Sequence, residues 1–207
     1  MQGLRAAVIG YASLAALLLG GDAAAQAARV LDCESNFPAT ASAAGLADRF
    51  GAANVVNAEI SVGEGLYEKG TVLFADSADD KVEIIWKDAE GLRLPRVVRI
   101  QGESSNWSTR SGLSLGDDLR TVERFNRKPF RLAGFSWDYA GTVLSWSGGA
   151  LEGAAGAACV VRVRLAPDES ADNVQWRRQV KGDRAFSSAH PAMKALNPRI
   201  YEIWLEY

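Results

Sequence analysis

The chain offers few residues whose types and spacing could do chemistry. Its one histidine, His190, lies in "SSAHPAM" beside Ser187 and Ser188. A Ser–His pair could begin acyl transfer, but triad members meet in space rather than by adjacency, so His190 is read as a surface histidine. Glycoside hydrolysis needs two opposed carboxylates. Glu64, Glu68, Asp138 and Glu152 are the candidates, and nothing in their spacing brings a pair together. Zinc needs three or four His, Cys or carboxylate ligands, and one histidine with two distant cysteines does not supply them. "DSADD" at 76–80 lacks the ligand spacing of a calcium loop and reads as a solvated turn. The glycine-rich strings "GEGLYEKG" and "GGALEGAAG" have no G-K-[ST] for phosphate. No cofactor and no metal site are expected. Two basic clusters, "RTVERFNRKPFR" and "WRRQVKGDR", could meet an acidic partner, yet read first as solvated faces. A net charge of −2 gives no electrostatic case for nucleic acid.

The remaining dense stretch is "GFSWDYAGTVLSWSGG", residues 134–149. Read as two strands joined by Ala140-Gly141, it pairs Tyr139 with Thr142, Trp137 with Leu144 and Phe135 with Trp146. Side chains alternate along a strand, so Phe135, Trp137, Tyr139, Thr142, Leu144 and Trp146 fall on one face. Ser136, Asp138, Val143, Ser145 and Ser147 fall on the other. The aromatic face is expected to be core. The polar face, with Ser136, Asp138 and Ser145, is the candidate binding surface.

The elements around this stretch follow from periodicity. "SAAGLADRFG" places Ala43, Leu46, Ala47 and Phe50 at helical spacing, with Gly51 as a C-terminal cap. "GDDLRTVERFNRKP" places Leu119, Val122 and Phe125 on a second helical stripe, with Asp117 or Asp118 as N-cap. "KVEIIWKD", "RVVRIQG", "AACVVRVRL" and "RIYEIWLEY" read as strands, and the polar stretch from Ala166 to Pro198 as irregular. "GTVL" recurs at 70–73 and 141–144, and "RF" at 49–50 and 124–125, which suggests a duplicated unit. The expected fold is α+β: two tandem repeats of a short helix and an antiparallel meander, over 26–105 and 106–207, with the helices on one side of the sheets.

These features resemble the tandem fold of the β-lactamase inhibitor protein and its single-unit relatives. The phrase "GLSLGDDLRTVERFNRKPF" is similar to the start of a helix in that group. "NRKPFRLAGFSWDYAGTVLSWSGGALE" also resembles an uncharacterised family of exported bacterial proteins. The resemblance implies a binding sheet without chemistry, and it carries over no partner.

Residues 1–25 carry the pattern of a secretory signal peptide: Arg5, the apolar run "AAVIGYASLAALLLGG", and small-residue cleavage sites near Ala25 and Ala27. The run is short of the roughly 20 residues that span a bilayer, so the protein is not expected to be membrane-spanning. Asp32 argues against lipid attachment at Cys33. In an oxidising compartment Cys33 and Cys159 are expected to form one disulfide. The expectation is a periplasmic or secreted, non-enzymatic, inhibitor-like protein with a protein partner in the envelope. An envelope glycan hydrolase and a carbohydrate-binding module are the alternatives.

Overall fold

A computed structural model describes residues 29–153, 157–168 and 174–207. The signal segment therefore lies outside the described residues. The elements in chain order are β1 (Val30–Leu31), α1 (Ala43–Phe50), β2 (Val55–Gly63), β3 (Leu66–Leu73), β4 (Val82–Asp88), β5 (Arg93–Gln101) and β6 (Ser108–Thr109), then α2 (Leu119–Asn126), β7 (Arg131–Ala133), β8 (Val143–Ser145), β9 (Val160–Ala166), α3 (Val174–Gln179), β10 (Ala185–Ser187), α4 (Pro191–Leu196) and β11 (Arg199–Glu206). The fold is mixed helix and sheet. A six-stranded sheet in the order β2-β3-β4-β5-β11-β9 and a three-stranded sheet in the order β10-β7-β8 are antiparallel throughout, and β1 pairs in parallel with β6.

Both longer helices form where the sequence signals them. Ser42 Oγ caps α1 through the amide of Gly45, and Gly51 ends it at a positive φ. Asp118 caps α2 through the amide of Thr121 at 2.8 Å. The buried stripe of α2 is Leu119, Val122 and Asn126, with Phe125 exposed. Asn126 can be buried because its Nδ2 donates to the carbonyls of Lys128 and Trp146, and its Oδ1 accepts from the amide of Leu151.

The six-stranded sheet has two unlike faces. Val82, Ile84, Trp86, Val98, Ile100, Val163, Leu165, Ile203 and Leu205 enter the main core, where they meet Leu46 of α1, Leu119 and Val122 of α2, and Met193 of α4. Trp86 Nε1 donates to Thr71 Oγ1 at 3.0 Å, and Thr71 donates to Asn57, so the buried indole is satisfied. The opposite face carries a small apolar cluster of Ile60, Val72 and Ile85 beside a row of charges. Residues from both sides of the 105/106 boundary share this core. The last strand of the chain, β11, completes the sheet by pairing with β5. The two GTVL strings lie in different sheets: residues 70–73 in β3 and 143–144 in the three-residue β8.

Cys33 and Cys159 are disulfide-bonded, with Cα atoms 6.1 Å apart, and both are buried. The bond ties the loop after β1 to the start of β9. No described helix is long and apolar enough to cross a membrane.

Two sequence expectations are corrected. The stretch from Ala166 to Pro198 is not irregular: it contains α3, β10 and α4. The hairpin over 135–146 has a different register. Its first strand is β7, with Arg131 opposite Ser145 and Leu132 opposite Val143. Residues 135–139 leave that ladder, and the aromatic set does not share one face. Val143 is 5% exposed whereas Leu144 is 50% and Tyr139 62% exposed.

The cause is a pairing from distant sequence. Phe135 donates its amide to Val180 at 2.9 Å, and its carbonyl accepts from Gly182 at 2.9 Å. Gly134 allows that approach, since any Cβ there would strike the carbonyls of Gly182 and Val180. Gly141 then returns to donate to the Gly134 carbonyl at 3.2 Å, closing residues 134–141 as a loop.

Candidate functional site

A groove of about 640 Å³ lies over the charged half of the sheet's outer face. One rim is the β2–β3 hairpin tip, residues 61–66. Glu64 and Gly65 both have positive φ, as a two-residue hairpin turn requires. The other rim is the 134–141 loop, through Asp138 and Tyr139. Trp137 holds that loop by donating Nε1–H to the Gly134 carbonyl at 3.0 Å, and it meets Tyr139 edge-on at 5.4 Å. Arg164 reaches up from β9 to the Asp138 carbonyl at 3.3 Å.

Arg99, Glu202 and Arg164 in the floor belong to a ladder of alternating charge across four adjacent strands, which continues beyond the groove to Glu83. Lys81 Nζ lies 3.0 Å from Glu83 Oε1. Arg99 binds Glu83 through Nε at 3.1 Å and Nη2 at 2.6 Å. Arg99 Nη1 lies 3.7 Å from Glu202, and Arg164 Nη1 lies 3.1 Å from the same carboxylate. Arg99 also donates to the Ser61 carbonyl at 2.9 Å, which pins the hairpin tip over the floor. Burial would push the Glu83 carboxyl up. Hydrogen bonds from Arg99 and Lys81, with their charges, outweigh it and hold that carboxyl below its ordinary range. Tyr201 and Trp204 complete the floor. The arrangement presents fixed, mutually compensated charges and exposed aromatic surface.

The three residues expected to share a polar face are separated. Asp138 lies in the groove. Ser136 is exposed on the loop with a φ of 68°. Ser145 faces a different hollow of about 290 Å³, shared with Cys159 and Val160, and its Oγ accepts from the amide of Ser147. The ladder itself escaped sequence reading, though its signal was present: Glu83, Arg99, Arg164 and Glu202 alternate with core residues on four strands, with signs that complement across the ladder.

The other chemical candidates have plain structural partners. His190 caps α4, its Nδ1 accepting from the amide of Ala192 at 3.1 Å. Ser188 is buried, and its hydroxyl donates to Glu123 at 2.6 Å. The sequence is expected to hold no nucleophile-elbow phrase, yet "GLSLG" at 112–116 fits the G-x-S-x-G spacing. It does not form the strand-to-helix elbow of that motif: Ser114 bridges Ser108, and its amide donates to Asp117. Of the four carboxylates weighed for glycoside hydrolysis, Glu68 pairs with Arg96, and Glu152 accepts from the amide of Gly148. Glu64 and Asp138 line the same groove from opposite rims, and both are exposed. The acids of "DSADD" anchor loops: Asp80 binds Arg29 and Asn106, and Asp79 binds Ser104. Among the described residues no group of three or more His, Cys, Asp or Glu could hold a metal ion. Comparison of the chain with models of known protein families, with curated proteins and with solved structures finds no match in any of the three.

Proposed function

We propose that this is an exported, non-enzymatic, inhibitor-like protein of the cell envelope that binds a protein partner across the groove. One observation carries the reading. A floor of paired charges, Arg99–Glu202–Arg164, with Glu83 holding Arg99 from beside it, lies between two rims that expose Leu66 and Tyr139. Compensated charges in fixed positions select a complementary surface, and exposed aromatic side chains supply contact area at low entropic cost. The disulfide fits an oxidising compartment, periplasmic or extracellular. The same reading takes the architecture as two helix-plus-meander units with the helices on one side of the sheets. Two capped eight-residue helices, each leading into strands, support it.

The runner-up is glycan hydrolysis, favoured by Glu64 and Asp138 on opposite rims. Against it, both carboxylates are exposed at loop tips rather than enclosed in a cleft. A sugar-binding platform would set rings flat in a row, whereas Trp137 and Tyr139 meet at 64°. The test is a double variant, Leu66→Asp with Tyr139→Asp. Both side chains are exposed, so the melting temperature should stay within a few degrees of wild type. Co-purification of the envelope protein held by wild type should be lost. Unchanged co-purification would remove the groove from the interface.

A further inference from the structure

A second site lies away from the groove, at the far end of α2. Arg120 and Arg124 lie four residues apart on one face of α2, and Arg127 follows at its C-terminal cap. Together with Lys128 and Lys194 they border a shallow cavity of about 490 Å³, floored by Pro129 and Glu123. Glu123 is already occupied, because it pairs with Lys194 and accepts from the Ser188 hydroxyl. Four cations remain. Arg124 donates to the Thr121 hydroxyl and Lys128 to the Ser147 carbonyl, both neutral groups. Among the described residues none of the four has a carboxylate within ion-pair distance.

Arg124 in the last turn and Arg127 at the cap suit the helix dipole, but Arg120 stands in the first turn, where the dipole disfavours a cation, and it opposes Arg124 at four-residue spacing. Arg127 holds the left-handed conformation that ends α2, with a φ of 61°, a position where glycine is free of strain. Three guanidinium forks around one cavity are suited to bidentate binding of oxyanions. A diphosphate brings multiple negative charge and two sets of terminal oxygens to these four cations.

We infer that this cavity binds a diphosphate, as the free ion or as an ester. The site is independent of the groove. Calorimetric titration of the full protein with inorganic pyrophosphate tests it, beside a monoalkyl diphosphate and sodium sulfate at equal ionic strength. Saturable binding of one diphosphate per chain, with sulfate at least tenfold weaker, is the expected result. Equal affinity of the two diphosphates assigns the site to the free ion, and tighter binding of the ester assigns it to an esterified ligand. Arg120→Gln and Arg124→Gln should each weaken binding about tenfold. Arg127→Gly separates binding from structure: it should raise the melting temperature by relieving the cap, yet weaken diphosphate binding by a similar factor. Sulfate binding as tightly as pyrophosphate, no saturable binding at millimolar pyrophosphate, or full affinity in Arg127→Gly would each overturn the inference.

Discussion

Replacing Gly141 with Ala should be among the most damaging single-methyl changes in the protein. Gly141 sits at a φ of 69°, where an L side chain costs about 1–2 kcal/mol. An added Cβ would overlap the carbonyl oxygen of Leu165 and stand 2.8 Å from its carbonyl carbon. The obstacle is backbone, so no rotamer change relieves it. The chain must separate, which removes the Leu165 amide to Gly141 carbonyl bond at 3.0 Å and strains the Gly141–Gly134 closure. Leaving such groups unpaired costs about 1–3 kcal/mol. The sum is about 2–5 kcal/mol, read from urea unfolding at constant slope. Gly182→Ala is the control. Its φ is 98°, but nothing lies within 4 Å of the added methyl, so only the conformational cost of about 1–2 kcal/mol should appear. Equal destabilisation by the two substitutions would show that Gly141 does not abut β9. The closed 134–141 loop, and the groove rim it forms, would then be wrong.

Other outcomes follow from single contacts. Val143→Ala should cost about 2 kcal/mol and Leu144→Ala under about 0.5 kcal/mol, the reverse of the simple hairpin register; thermal melts of the pair decide it. Reducing the Cys33–Cys159 bond, which closes 126 positions, should lower stability by about 4–5 kcal/mol on loop entropy alone, seen as a fall in melting temperature with reductant. Burial pushes the Asp118 carboxyl up, but hydrogen bonds from Asn197 and Thr121, with the Arg199 charge, bring it from 3.8 down to about 2. A depressed carboxyl stabilises above its unfolded value and loses that contribution as pH falls, here between about pH 4 and 2. After discounting for solvent screening the loss is about 1 kcal/mol, and Asp118→Asn should flatten that part of the stability–pH curve.

What was legible in the sequence was local. Gly51 and Asp118 mark helix ends by their own chemistry, and α1 ends and α2 begins at them. Period-two alternation located β4, β5, β9 and β11. The cysteine count gave the disulfide. Illegible were the pairings between distant segments. Phe135 leaves its hairpin because Val180 and Gly182 offer it backbone partners, and no local pattern around residue 135 announces them. That departure separates Ser136 and Asp138 from Ser145. The charge ladder was written in the alternate positions of four strands, but the order β4-β5-β11-β9 that aligns them depends on the last strand returning beside β5.

The most direct measurement of the binding proposal is site-specific photocrosslinking in the native host. A benzophenone side chain replaces Tyr139 on the groove rim, or Val174 on α3, which is also exposed. A groove that docks a protein should give one discrete adduct from position 139 and none from position 174. The absence of a discrete adduct at 139, or the same adduct from both positions, would contradict it.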